Sequence, residues 1–100
     1  GEQPHPHSAR GILEACREGR LDDALAGLRG LSESGYAPVD IVGTLFKVVK
    51  SHKMPEARQL EVIKEVGFCH TRIADGCASL VQLTGMVARL CQLAEAGEKK

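Results

Sequence analysis

The sequence lacks the short motifs that mark common enzyme families. It contains no GxxxxGK[ST] loop for phosphate, no GxGxxG, no HExxH and no GxSxG element. No apolar run approaches the ~20 residues of a membrane-spanning helix, and residues 1–7 lack the apolar stretch of a signal peptide. We therefore expect neither an enzyme nor a membrane protein, but a soluble intracellular module without a catalytic, cofactor or metal site.

Aromatic side chains and net charge are also scarce. The chain has no Trp, one Tyr and two Phe, and strict alternation of apolar and polar residues is hard to find, so strands are not favoured. Thirteen basic residues balance thirteen acidic ones, so no overall field would draw the chain to nucleic acid or to an anionic membrane. With 43% hydrophobic residues among 100, the composition predicts one folded domain with a core of its own.

Close cysteine pairs are absent as well. Cys16, Cys69, Cys77 and Cys91 fall mostly among apolar neighbours and form no CxxC motif, which predicts reduced thiols in the core. Two alternatives remain open. The adjacent Cys69 and His70 could form a catalytic dyad, and the same residues with Cys77 and Cys91 could bind zinc, although the spacings match no finger or ribbon pattern.

Glycine and proline divide the chain into segments with a helical period. Five helices are predicted, at about residues 8–18, 21–33, 38–51, 55–67 and 70–96, the last being the longest. The fourth is expected to bury Leu60 and Ile63 and to end at Gly67. The predicted fold is an all-α five-helix bundle with a long C-terminal helix, which places the domain at residues 5–96 and flexible ends at 1–4 and 97–100.

The last segment carries two groups of apolar residues. Wound at roughly 100° per residue, the first forms an ordinary core face: Ile73, Cys77, Leu80, Val81, Thr84, Val87, Ala88 and Cys91. The second forms a stripe beside it: Leu83, Met86, Leu90 and Leu93. We predict that this stripe contacts a partner chain, because large uncovered apolar patches mark interaction sites. The alternative is a central helix wrapped by the other four.

Other features of the chain are weaker signals. Lys47, Lys50 and Lys53 recur every three residues and form the one local basic cluster. They are candidates for contact with a DNA backbone, although without interleaved aromatics a solvated helix edge explains them better. Arg89, on the polar strip beside the apolar stripe, is either a candidate for an ion pair at an interface or a plain surface residue. Gly76 and Gly85 are expected to mark places where another backbone comes close.

Several local strings resemble one known family. They are His5-Pro6, Gly35-Tyr36, Pro38, Asp40-Ile41, Gly43, Phe46, Lys50, Met54, residues 63–67 (IKEVG), His70, residues 73–76 (IADG) and residues 88–92 (ARLCQ). In these residues and in the order of its segments, the chain resembles the C-terminal region of the small subunits of eukaryotic replication factor C, the clamp loader, with the subunit 2 type nearest. The resemblance runs from His5 to Gln92.

The resemblance implies a helical collar domain that packs beside its counterparts and holds a pentameric AAA+ loader together in the nucleus. ATP and magnesium would belong to the AAA+ domains of a longer parent, so this chain would not itself be an enzyme. The implied partners are the other replication factor C subunits and, through the whole complex, the sliding clamp (proliferating cell nuclear antigen) and primer-template DNA. No membrane partner is implied.

Two competing functions remain open on the residues alone. A free-standing helical adaptor could accept an amphipathic partner helix in a groove, since that mode needs only apolar anchors at helical spacing. A cysteine or zinc enzyme would need a reactive thiol or a bound metal.

Overall fold

The computed structural model describes residues 3–76 and 80–98, with side chains up to Glu95. Within these ranges the chain forms five helices and no strands: α1 (Pro6–Arg17), α2 (Leu21–Glu33), α3 (Pro38–Ser51), α4 (Glu56–Ala74) and α5 (Leu80–Glu98). The expected all-α five-helix bundle is confirmed. Pro4, expected in a flexible end, is buried, and α5 continues beyond its expected end at residue 96.

The first two connections are closed by glycines in the left-handed region. Gly19 has a φ of 74° and Gly35 has a φ of 95°, a conformation that glycine adopts without steric cost. After α2, the Gly35 N–H donates to the carbonyl of Ser32 and the Tyr36 N–H to that of Leu31. Pro38 then opens α3, where its missing N–H is not needed. The bounds of α2 and α3 therefore agree with the sequence prediction.

The boundary between α4 and α5 differs from the prediction. Gly67 does not end α4, which continues to Ala74, and the break comes at Gly76, whose φ is 102°. A Cβ at Gly67 would meet only the Phe46 ring, at 3.6 Å, so this glycine lies at an ordinary contact inside a helix. A glycine inside a helix lowers helix stability by about 1 kcal/mol relative to alanine. The other contacts of this long helix offset that loss. In place of the expected short fourth and long fifth helix, α4 and α5 have 19 residues each.

Helix α5 occupies the centre of the bundle. It contacts α1, α2, α3 and α4, and three of its side chains, Leu83, Met86 and Val87, have no exposed surface at all. The remaining core comes from the inner faces of the other helices, for example Leu28 on α2 and Ile41, Val42 and Leu45 on α3. The central helix is thus wrapped by the other four, which was the alternative to a partner-binding stripe.

Candidate interaction surfaces

The apolar stripe of α5 lies inside the chain rather than on its surface. Leu83 and Met86 are 0% exposed and Leu90 is 3% exposed, while Leu93 is half-buried against the core. The expectation that an isolated bundle leaves this stripe uncovered is wrong, because α5 sits between the other helices, which bury Leu83, Met86 and Leu90. The predicted subunit contact through these residues required them to be exposed, and the structure does not support that requirement.

Arg89 lies on the exposed side of α5 and is engaged by α4. Its Nε is 2.7 Å from the Oε2 of Glu65, so the pair ties the two helices together at the surface. Its Nη1 is also 3.4 Å from the place where a Cβ on Gly85 would stand. Gly85 had been expected to lie against another backbone. It lies instead under the Arg89 side chain. A contact between Arg89 and a neighbouring subunit stays a prediction.

The three lysines do not converge on one point. The Lys47 Nζ donates to the Oε1 of Gln3 at 3.3 Å, and the Lys50 Nζ stands 4.4 Å from the centroid of the Phe46 ring. Lys53 is exposed in the connection between α3 and α4. Two of the three cations thus interact with their own chain, and contact with DNA stays a prediction without added support.

The exposed apolar residues lie elsewhere than the sequence pattern indicated. Leu60, expected in the core, is 55% exposed, and Ile63 is half-buried. On α5, Leu80 is 38% and Val81 is 79% exposed, although both were expected on the core face. Phe68 on α4, which no expectation included, is 60% exposed.

Leu60 and Phe68 belong to one ridge along α4. Leu60, Lys64, Phe68 and Arg72 follow one another at intervals of four residues, which places them side by side on one helix face; we name these four residues the α4 outer face. The guanidinium carbon of Arg72 is 5.7 Å from the centroid of the Phe68 ring. The ridge therefore joins two large apolar groups with two cationic ones, all open to solvent.

The sequence contains a signal for this arrangement. The opposite side of α4 carries the buried Val62, Val66, Cys69 and Ile73, a continuous stripe at helical spacing. The stripe crosses Gly67, so it becomes visible only when the helix is extended beyond that glycine. The predicted helix ended at Gly67. With that end, Leu60 was expected in the core, and Phe68 lay outside the helix, so its place on an exposed helix face was missed.

A second feature is a groove where α1, α4 and α5 meet the connection between α3 and α4. Its cavity volume is about 30 Å³, and it is open to solvent on one side. Its lining is mainly apolar, with two arginines and a histidine: Leu13, Cys16, Arg17, His52, Met54, Arg58, Val62, Leu90, Leu93 and Ala94. We name this the α1–α4–α5 groove.

Glu14 lies beside this groove, and its carboxylate already has basic partners within the chain. The Arg17 Nη2 lies 2.7 Å from its Oε2, and this hydrogen bond with Arg17 holds the pKa of the Glu14 carboxyl below its ordinary value. The His52 Nε2 lies 2.7 Å from the Oε1 of Glu14. The one carboxylate of α1 closest to the groove thus has two basic neighbours.

The cysteines behave as core residues. Cys16, Cys69 and Cys91 are buried free thiols, as expected, and Cys77 lies outside the described residues. Burial raises the pKa of the Cys16 thiol, with the neighbouring Cys91 adding to the effect, and burial also raises the pKa of Cys69. A raised pKa keeps a thiol protonated and unreactive at neutral pH, so nothing here supports the cysteine enzyme.

Neither a metal cluster nor a membrane helix is found where the structure can be described. His70 stacks edge-on against Phe46, with ring centroids 5.9 Å apart. Across residues 3–76 and 80–98, no group of three or more His, Cys, Asp and Glu side chains is placed to hold a metal ion. Among the same residues, no helix combines the length and apolar character needed to cross a bilayer.

The fold defines a small all-α bundle domain, and comparison with known proteins identifies its family. Residues 4–89 match the Replication factor C C-terminal domain. The chain is 44% identical to Replication factor C subunit 2 of Arabidopsis thaliana over 89% of its length. It is 40% identical to Replication factor C subunit 4 of Oryza sativa subsp. japonica over 94% of its length and 41% identical to subunit 4 of Schizosaccharomyces pombe over 91%.

The chain therefore belongs to the replication factor C C-terminal domain family, as the small-subunit resemblance indicated. It covers 28% of the rice protein and 27% of the Arabidopsis and fission yeast proteins. The chain thus spans about a quarter of the length of these relatives.

Proposed function

We propose that this chain is an assembly domain: it associates with the C-terminal domains of other replication factor C subunits and holds them side by side in a pentameric ring. The family match over residues 4–89 supports this role. The parent complex would use ATP to load the sliding clamp onto primer-template DNA in the nucleus during replication and repair. ATP and magnesium would bind in the AAA+ domains, within the part of the relatives that this chain does not cover.

The observation that carries the proposal is the α4 outer face. Leu60 and Phe68 are each more than half exposed on a helix whose other side is fully used by the core. Covering apolar surface is favourable by about 25 cal/mol per Å², and a buried apolar centre with polar neighbours is the usual anatomy of an interface. Arg72, beside Phe68, is of a residue type that is enriched among the strongest interface contacts.

The test combines recruitment with a fold check. The chain is mixed with the remaining replication factor C subunits, and the mass of the assembly is measured by light scattering after gel filtration. The double variant Leu60→Glu with Phe68→Glu places two carboxylates on the proposed contact, and we expect its affinity for the other subunits to fall at least tenfold. Its circular dichroism spectrum should stay that of the parent chain, since neither side chain belongs to the core.

The matched control is Val39→Glu, which introduces the same charge at an apolar residue of α3 that is 43% exposed. We expect it to be recruited like the parent chain. Normal recruitment of the double variant would show that the α4 outer face is not the contact. A parent chain that stays monomeric and is not recruited would contradict the assembly role itself and favour the free-standing adaptor.

A further inference from the structure

The α1–α4–α5 groove has an apolar interior that is only partly filled. Leu13, Val62, Leu90 and Ala94 line it with side chains that are otherwise buried. Water held against such surface has few polar partners, so its release on binding is favourable. An opening of this size suits the tip of an apolar side chain that comes from outside the domain.

Arg58 gives the mouth of this groove its charge. The residue is only partly exposed, and neither an ion pair nor a side-chain hydrogen bond connects it to any other part of the chain that the structure describes. Glu14, beside the groove, is held by Arg17, and Glu18, just after α1, is held by Arg20 at 2.6 Å. A half-buried guanidinium without a carboxylate, next to apolar surface, is complementary to an acidic group from another molecule.

We propose that the α1–α4–α5 groove receives an apolar side chain of a neighbouring replication factor C subunit, next to an aspartate or glutamate of that subunit that pairs with Arg58. This inference rests on the assembly role proposed above. It adds the second contact surface of the domain and states the chemistry of the segment that fills it.

The geometry of α4 separates the two surfaces. Arg58 and Leu60 are two residues apart on the helix, which turns their side chains by roughly 200° relative to each other. Leu60 thus faces away from the groove, whereas Phe68 and Arg72 are separated from Arg58 mainly along the helix axis, by roughly 15 Å and 21 Å. A member of a ring contacts two neighbours through two different patches, since side-by-side contacts in a ring are heterologous. Two patches separated in this way meet that requirement.

The test uses the chain with each of the other replication factor C subunits in turn, and affinity is measured by isothermal titration calorimetry. Arg58→Glu should lower affinity for one neighbour at least tenfold, whereas Arg58→Lys should retain most of it. Arg58→Ala should also reduce the dependence of that affinity on salt concentration, because a charge pair is lost. Arg10→Glu, an identical change at an exposed residue of α1, is the control and should bind normally.

The outcomes separate this inference from the assembly role. Binding of the parent chain together with normal binding of Arg58→Glu would overturn the groove contact and leave the assembly role intact. If the parent chain binds no subunit, the assembly role fails first. We expect Arg58→Glu and the Leu60→Glu/Phe68→Glu double variant to lose different neighbours. If both variants lost binding to the same subunit, the claim that the domain has two separate contact surfaces would be wrong.

Discussion

Helices α4 and α5 have the same length of 19 residues but use their apolar residues in opposite ways. Helix α5 is the more apolar of the two and buries Leu83, Met86 and Leu90 inside the chain. Helix α4 is less apolar, yet it presents Leu60 and Phe68 to solvent. The comparison teaches that the apolar content of a helix does not by itself show which of its residues are free for a partner. Whether a given residue is free for a partner depends on the position of the helix in the bundle.

The largest effect that this contrast predicts is on core stability. Leu83→Ala should lower the free energy of unfolding by about 2–5 kcal/mol, the usual cost of truncating a fully buried leucine. Val81→Ala, two residues earlier on α5 and 79% exposed, should change it by less than about 0.5 kcal/mol. Urea denaturation followed by circular dichroism measures both. Equal, small effects would mean that α5 is not the centre of the bundle.

A smaller effect tests where one helix ends and the other begins. Gly76→Ala should cost about 1–2 kcal/mol, because alanine is strained at a φ of 102°. Gly67→Ala should instead stabilise the chain by about 0.5–1 kcal/mol, since alanine is the better residue inside a helix and its Cβ makes an ordinary contact with Phe46. Thermal unfolding midpoints give both signs. A destabilising Gly67→Ala would indicate that α4 ends there after all.

The smallest effect concerns the surface pair between the two helices. A double-mutant cycle with Arg89→Ala and Glu65→Ala should give a coupling energy of about 0.2–1 kcal/mol, the usual range for exposed ion pairs. The coupling should shrink as salt is added, because both side chains are partly open to solvent. A coupling that is unchanged in high salt would show that packing, and not charge, connects the two residues.

Local signals in the sequence were sufficient for much of the fold. Pro38 and Gly35 fix the start of one helix and the end of another through the backbone conformations that only these residues favour, so α2 and α3 were predicted with their observed bounds. Gly67 and Gly76 are the same residue type in helical surroundings, and only one of them ends a helix. Tertiary contacts distinguish them, and these are not encoded within a few residues of either glycine.

The candidate surfaces were harder to predict than the fold. The burial of Leu83 and Leu90 depends on α1, α2 and α4 all reaching α5, which no single helical pattern contains. The α4 outer face was within reach of the sequence once α4 was given its full length. The α1–α4–α5 groove joins residues as distant as Leu13 and Leu93, so only the assembled fold brings Arg58 beside it.

The buried thiols of Cys16, Cys69 and Cys91 have a consequence for the kinetics of the bundle. A protonated, inaccessible thiol reacts with an alkylating agent only when its surroundings open. With Cys77 replaced by serine, and with the alkylating agent concentrated enough to react before the helices close again, the rate of alkylation would equal the rate at which helices separate. Cys16 joins α1 to α5 and Cys69 joins α4 to α5, through weak hydrogen bonds to the carbonyls of Val87 and Gln82. Mass spectrometry of the modified peptides would therefore time the opening of each helix pair separately.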